Sequence, residues 1–160
     1  MTYNKRVMKY FLHPKNAGVI KNADGIGRVG NINCGDVMEI FIKVGKNKKN
    51  EDYIKDIKFR TLGCPAAVAS SSVVTQLAKG KTLSQALKIT NQHIVKVLGG
   101  LPSVKYHCSL LGEDALAEAI YDYLKKNKKQ IPKELEIKHK HIVKSEKEFQ
   151  KKFKNKNAKI

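Results

Sequence analysis

A chain of 160 residues can form one domain with a buried core and an appendage, and no run approaches the roughly 18 apolar residues of a membrane span. Three widely separated cysteines, an odd number, argue against a disulfide framework and leave thiols or metal ligands in a reducing compartment. The net charge of +18 points to nucleic acid or another anionic surface, but 14 Lys and only 4 Glu in residues 125–160 make most of it a tail property. The opening Met1-Thr2-Tyr3-Asn4-Lys5-Arg6 lacks a sustained apolar stretch and a small-residue cleavage site, so a cytoplasmic, unprocessed protein is expected.

Val7, Met8, Phe11 and Leu12 lie at helical spacing and predict an opening helix that stops near His13-Pro14. A polar stretch, Lys21 to Gly25, precedes three strand-like runs: Arg28–Ile32, Val37–Val44 and Ile54–Thr61. Met38, Ile40, Ile42 and Val44 share one face of the second run, and Ile57 and Phe59 one face of the third. The solvated turn Gly45–Asp52 between them implies antiparallel pairing. From Pro65 the pattern is helical, with Ala66, Ala69, Val73 and Leu77 in a stripe that ends at Lys79-Gly80. Thr82-Leu83-Ser84-Gln85 reads as a capping box, Thr90 caps a short helix ending at Gly99-Gly100, and a longer helix runs from about His107 to Lys126. Beyond Pro132, Leu135, Ile142, Phe149 and Phe153 form a narrow stripe in a Lys-rich background, a marginal helix that needs a partner. Strands first and helices afterwards predict an α+β fold with helices on one face of a small antiparallel sheet, residues 1–126 as the domain and 127–160 as an extension.

The cysteines fall at element ends. Cys34-Gly35-Asp36 sits where one strand stops and the next begins, and Gly35 permits a tight turn that lets thiol and carboxylate face the same space. Gly63-Cys64-Pro65 lies at a strand-to-helix junction, where backbone N–H groups favour thiolate. His107-Cys108-Ser109 opens the last long helix after Leu101-Pro102-Ser103-Val104-Lys105. A lone cysteine is usually a buried small hydrophobe, but thiolates, an imidazole and a carboxylate at ends that can converge suit zinc or iron–sulfur chemistry. Gly25-Ile26-Gly27-Arg28-Val29-Gly30 fits the dinucleotide-binding spacing by letter, yet it lacks a preceding strand and a following helix. A His107–Cys108 catalytic dyad is disfavoured because neighbours on a helix do not face each other. His13, His93, His139 and His141 have no local partners and read as surface or packing residues.

Taken together, Phe11-Leu12-His13-Pro14-Lys15-Asn16, Asn22-Ala23-Asp24-Gly25, Cys34-Gly35-Asp36-Val37-Met38, Gly63-Cys64, Ala69-Ser70-Ser71-Ser72 and His107-Cys108-Ser109 give residues 4–126 a strong resemblance. In order and spacing this region resembles the iron–sulfur scaffold family of IscU and the N-terminal domain of NifU, and Gly99-Gly100-Leu101-Pro102 looks closer to the NifU type. The resemblance implies a three-stranded antiparallel sheet with packed helices, and a scaffold rather than a turnover enzyme. On it a cysteine desulfurase delivers persulfide sulfur, iron or electron donor proteins contribute, and a [2Fe–2S] cluster forms and passes to acceptor apo-proteins. Carried over by position, Cys34, Cys64 and Cys108 are the thiolate ligands, Asp36 tunes lability, His107 is an alternative ligand, and Cys108 is the candidate persulfide acceptor. Lys105 matches the basic residue of the preceding loop. Two departures stand out locally. Pro65-Ala66-Ala67 follows Cys64 where the family usually has Gly-Ser-Ala, and Ser103 interrupts the Leu-Pro-Pro-Val-Lys motif that a DnaK-type chaperone reads, which argues against that partner. Where full NifU continues into ferredoxin-like and C-terminal cysteine domains, this sequence has the lysine tail, and a stand-alone scaffold is expected. The runner-up is a zinc-binding structural or regulatory protein with the same ligands. A nucleic-acid binder rests on charge alone and lacks stacking aromatics.

Overall fold

The computed structural model describes residues 2–30 and 35–157, without the side chains of Phe149 and of residues 153–157. Cys34 and Ile32 therefore lie outside the described residues.

The chain runs through helix α1 (Lys5–Leu12), strands β1 (Gly25–Gly30), β2 (Val37–Lys46) and β3 (Asp52–Leu62), and helices α2 (Pro65–Ala78), α3 (Leu83–Ala86), α4 (Asn91–Val97), α5 (Tyr106–Lys126) and α6 (Lys133–Asn157). A short 3-10 turn, Ser103–Lys105, leads into α5. The strands form one antiparallel sheet in the order β1-β2-β3. The α+β expectation holds, and so do the two longer strands and their shared faces. Ile40 pairs with Phe59 and Ile42 with Ile57, so their side chains stack on the buried face with Met38. On the opposite face Phe41 is buried under the Arg60 guanidinium, which Glu39 holds at 2.8 Å.

β1 is the main correction. It spans the glycine-rich segment Gly25–Gly30, which was expected to hold only the start of a strand from Arg28. Gly25 and Gly27 face α5 so closely that a Cβ on Gly27 would overlap the Ala115 carbonyl oxygen and the Ala119 amide. Strand propensity is low there, but only glycine lets helix and strand backbones touch. The glycine spacing thus serves packing of β1 against α5.

Three of the helices start on a capping side chain. Asn4 caps α1 by accepting from Val7 N at 2.9 Å, and its amide reaches back to the Leu98 and Gly100 carbonyls. The Thr82–Gln85 capping box forms as expected. His93, expected to lack a local partner, closes a second box by accepting from Thr90 N through Nδ1 at 3.1 Å.

α6 is a 25-residue helix laid on α5. Leu135 and Ile142 of the expected stripe are buried, while the Phe149 and Phe153 side chains lie outside the description. Lys138 bridges Glu113 and Asp114 of α5 at 2.7 and 3.5 Å. His139, expected to be a surface or packing residue, packs on α5: it stacks on Tyr121 with centroids 3.7 Å apart and meets Glu118 at 2.9 Å. These contacts supply the partner that a helix so rich in Lys requires.

Candidate functional site

Antiparallel register brings the site together. Val37, which opens β2, pairs with Leu62, which closes β3, so Asp36 and Gly63-Cys64 arrive side by side at one end of the sheet. α5 crosses β1 and β2 and presents its first turn, with His107 and Cys108, at the same end.

Cys64 is the N-cap of α2, followed by Pro65 in the first turn, and its side chain makes no capping bond. The thiol is thus directed to the site instead of being spent on the helix's own N–H groups. Its sulfur donates to Asp36 Oδ2 at 3.7 Å, and Cys108 Sγ donates to the same oxygen at 3.7 Å. The two sulfurs are 3.6 Å apart. Asp36 is 7% exposed and Cys108 fully buried, whereas Cys64 is half-buried. A carboxylate oxygen of Asp36, a ring nitrogen of His107 and Cys108 Sγ also lie within 4.8 Å of one another, close enough to hold a metal ion together. His107 and Cys108 are neighbours on α5, yet both bring a ligand atom to within 4.8 Å of the Asp36 carboxylate.

Gly63 makes room for this arrangement. A Cβ there would stand 3.1 Å from Asp36 Cγ and 2.8 Å from Ala67 Cβ. Neither Gly63's steric role nor that of Tyr3 was anticipated from sequence. Tyr3 reaches over from the N-terminus: burial pushes its phenol up, and the Cys64 sulfur beside it adds to the shift. Only the tertiary fold announces that residue. Lys105, the N-cap of α5, feels the same centre, its ammonium pushed above the ordinary range chiefly by Cys64, with Tyr3, Cys108 and Asp36 contributing. Leu101 is buried and Pro102 half-buried, while Val104 is exposed on the 3-10 turn beside Lys105. A donor set of two thiols, an imidazole and a carboxylate, with a nearby ammonium, suits soft and borderline metals and negatively charged sulfur species.

The family model described as "NifU-like N terminal domain" matches residues 2–130. The chain belongs to the NifU-like N-terminal domain family. A protein of Archaeoglobus fulgidus named iron–sulfur cluster assembly scaffold protein IscU 1 is 53% identical over 127 residues, 79% of this chain and 80% of that protein. One of Aquifex aeolicus named iron–sulfur cluster assembly scaffold protein IscU is 48% identical over 124 residues, covering 78% and 77%. The crystal structure of the N-terminal part of a NifU-like protein from Brucella abortus shares the fold, with a TM-score of 0.59 at 20% identity over 77% of this chain and 94% of that one. Helix α6 lies beyond the family match.

Proposed function

We propose that this protein is a scaffold on which an iron–sulfur cluster is assembled and from which it is handed to acceptor proteins. The observation that carries this reading is the convergence of Asp36, Cys64 and Cys108 within 3.7 Å, with His107 alongside. Relatives named as assembly scaffolds support it over a zinc protein built from the same donors. The cluster is of the [2Fe–2S] type, held by Cys34, Cys64 and Cys108, with Asp36 as the oxygen ligand and His107 as its alternate. Three thiolates in one chain leave at least one iron position for oxygen, nitrogen or an external ligand. The protein is a carrier, not a turnover enzyme.

A cysteine desulfurase is the sulfur source, and Cys108 receives the persulfide. Exposed apolar residues flank the cysteine segments: Leu62, 78% exposed, precedes Cys64 by two positions, and Val104 and Tyr106 precede Cys108. Such residues beside Lys105 suit a docking donor or acceptor. Ser103 speaks against the DnaK-type chaperone as a partner, and so does the local shape, since Leu101 is buried and Ser103–Lys105 is wound into a 3-10 turn. Among the described residues no helix is long and apolar enough to cross a membrane, in keeping with a cytoplasmic place of work.

Anaerobic reconstitution with ferrous iron, sulfide and a thiol tests the reading. Visible absorption and two irons and two sulfides per cluster are expected, and both should be lost in Cys64→Ser and Cys108→Ser. A protein that takes up zinc but gives no visible spectrum would overturn the assembly role.

A further inference from the structure

The two described thiols are in van der Waals contact with each other. Cys64 Sγ and Cys108 Sγ stand 3.6 Å apart, and Asp36 Oδ2 accepts from each at 3.7 Å, which holds the pair together. A disulfide bond of about 2.05 Å is reached from there by a shift of roughly 1.5 Å. Cys64 also sits on a turn preceded by a glycine and makes no capping bond, so its sulfur is free of the helix it opens.

We propose that Cys64 is the internal reductant that releases sulfide from a persulfide on Cys108, an inference that rests on Cys108 as the acceptor. In the metal-free protein the Cys64 thiol attacks Cys108 Sγ. The bond between Cys108 Sγ and the outer sulfur breaks, and a Cys64–Cys108 disulfide forms. The outer sulfur takes the electron pair of the broken bond and, with one proton from Cys64 and its own, departs as hydrogen sulfide. It is reduced by two electrons while the two cysteine sulfurs are oxidised to the disulfide. Sulfide is thereby set free beside Asp36 and His107, where the metal donors are.

Proximity decides why an internal thiol performs this step. Cys64 Sγ already touches Cys108 Sγ, so once Cys108 carries the persulfide the attacking thiol is in place without a second encounter. Exposure directs the reset. A dithiol reductant of the thioredoxin class attacks the half-buried Cys64 sulfur of the disulfide and passes its two electrons to it. Cys108 is then the leaving thiol and is available to be loaded again. Both thiols must be returned to the reduced form before they can bind iron, so sulfur release precedes cluster closure.

The test uses the full chain, reduced and metal-free, loaded anaerobically with a cysteine desulfurase and cysteine and then freed of both. Sulfide release is followed by methylene blue and the protein by intact mass and peptide mapping. The wild type should release one sulfide per persulfide without added reductant and finish two hydrogens lighter than the reduced protein, with the bond mapped to Cys64 and Cys108. Cys64→Ser should keep its persulfide at least about ten-fold longer. Serine is a better N-cap than cysteine, so α2 should be retained, and Cys64→Ala gives an independent reading. A wild-type persulfide as long-lived as that of both variants would overturn the proposal alone. So would a disulfide mapped to Cys34, or migration of the sulfur to Cys64 without sulfide release. Failure of either variant to carry sulfur on Cys108 would overturn the acceptor reading, and the proposal with it.

Discussion

Gly63→Ala is the sharpest test of how the fold shapes the site. Alanine in place of a strand or turn glycine normally stabilises by about 0.5–1 kcal/mol because the unfolded chain loses freedom. At Gly63 the new Cβ would meet Ala67 Cβ at 2.8 Å and Asp36 Cγ and Oδ1 at 3.1 and 3.2 Å. Carbon atoms rest at about 3.5–4.0 Å, so the first turn of α2 must retreat by roughly 0.7 Å and Asp36 by a few tenths. Overpacking of this kind costs about 1–3 kcal/mol. Net of the entropic gain, a loss of about 1–2 kcal/mol is expected, or a thermal midpoint lower by roughly 2–8 °C. The Asp36 carboxylate should also move away from the thiols that it holds. Gly30→Ala is the matched control: among the described residues its Cβ would meet nothing nearer than the Asp36 carbonyl oxygen at 3.7 Å, so it should be neutral or slightly stabilising. Urea unfolding by circular dichroism gives the stability, and anaerobic reconstitution gives cluster per chain. If Gly63→Ala matched Gly30→Ala in both, the crowding argument would be refuted.

Asp36→Ala should fold normally, because the side chain it removes is held by two weak thiol donors, and should slow cluster transfer to an apo-ferredoxin. Equal transfer rates from equally loaded proteins would leave Asp36 a turn residue. Burial pushes the Asp52 carboxyl up, but hydrogen bonds from Lys129, Lys46 and Tyr123 outweigh it and hold the group below its ordinary value. Its contribution is therefore complete above about pH 4, the unfolded carboxyl range, and is lost as pH falls through the lower folded value. Asp52→Asn should cost about 1–3 kcal/mol near neutrality, and a penalty that stayed constant in urea titrations down to about pH 3 would contradict this. A chain ended after Ile131 keeps Lys129 on Asp52 but loses α6; it should still assemble a cluster, at a lower urea midpoint because the faces under Leu135 and Ile142 are exposed. A folded truncation unable to assemble one would make α6 part of the scaffold.

The features legible in the sequence were those written in short-range pattern. The alternation in β2 and β3, the stripe of α2 and the Thr82–Gln85 box each depend on residues a few positions apart. The convergence of Asp36, Cys64 and Cys108 was foreshadowed because all three stand at element ends, and antiparallel register does the rest. β1 was misread because its glycines answer to the backbone of α5, about 90 residues away in the chain. The ion-pair partners of His139 and Lys138 likewise lie more than 20 residues off, so periodicity could forecast the buried stripe of α6 but not its ion pairs. Tyr3 carries no local mark of its place beside Cys64; that placement comes with α1 docking through Asn4 to the end of α4.

One side chain at the far end of α5 bears on how this molecule keeps its own company. β1 is an outer strand, and an outer strand offers amides to which any extended segment can add. The Ile26 amide is already taken: Asp122 Oδ2 accepts from it at 2.9 Å, and Lys126 steadies that carboxylate from one turn on at 2.8 Å. The helix that carries Cys108 at its start thus plugs the sheet at its end. A protein that must meet donors and recipients in succession is in this way discouraged from polymerising through its own sheet edge.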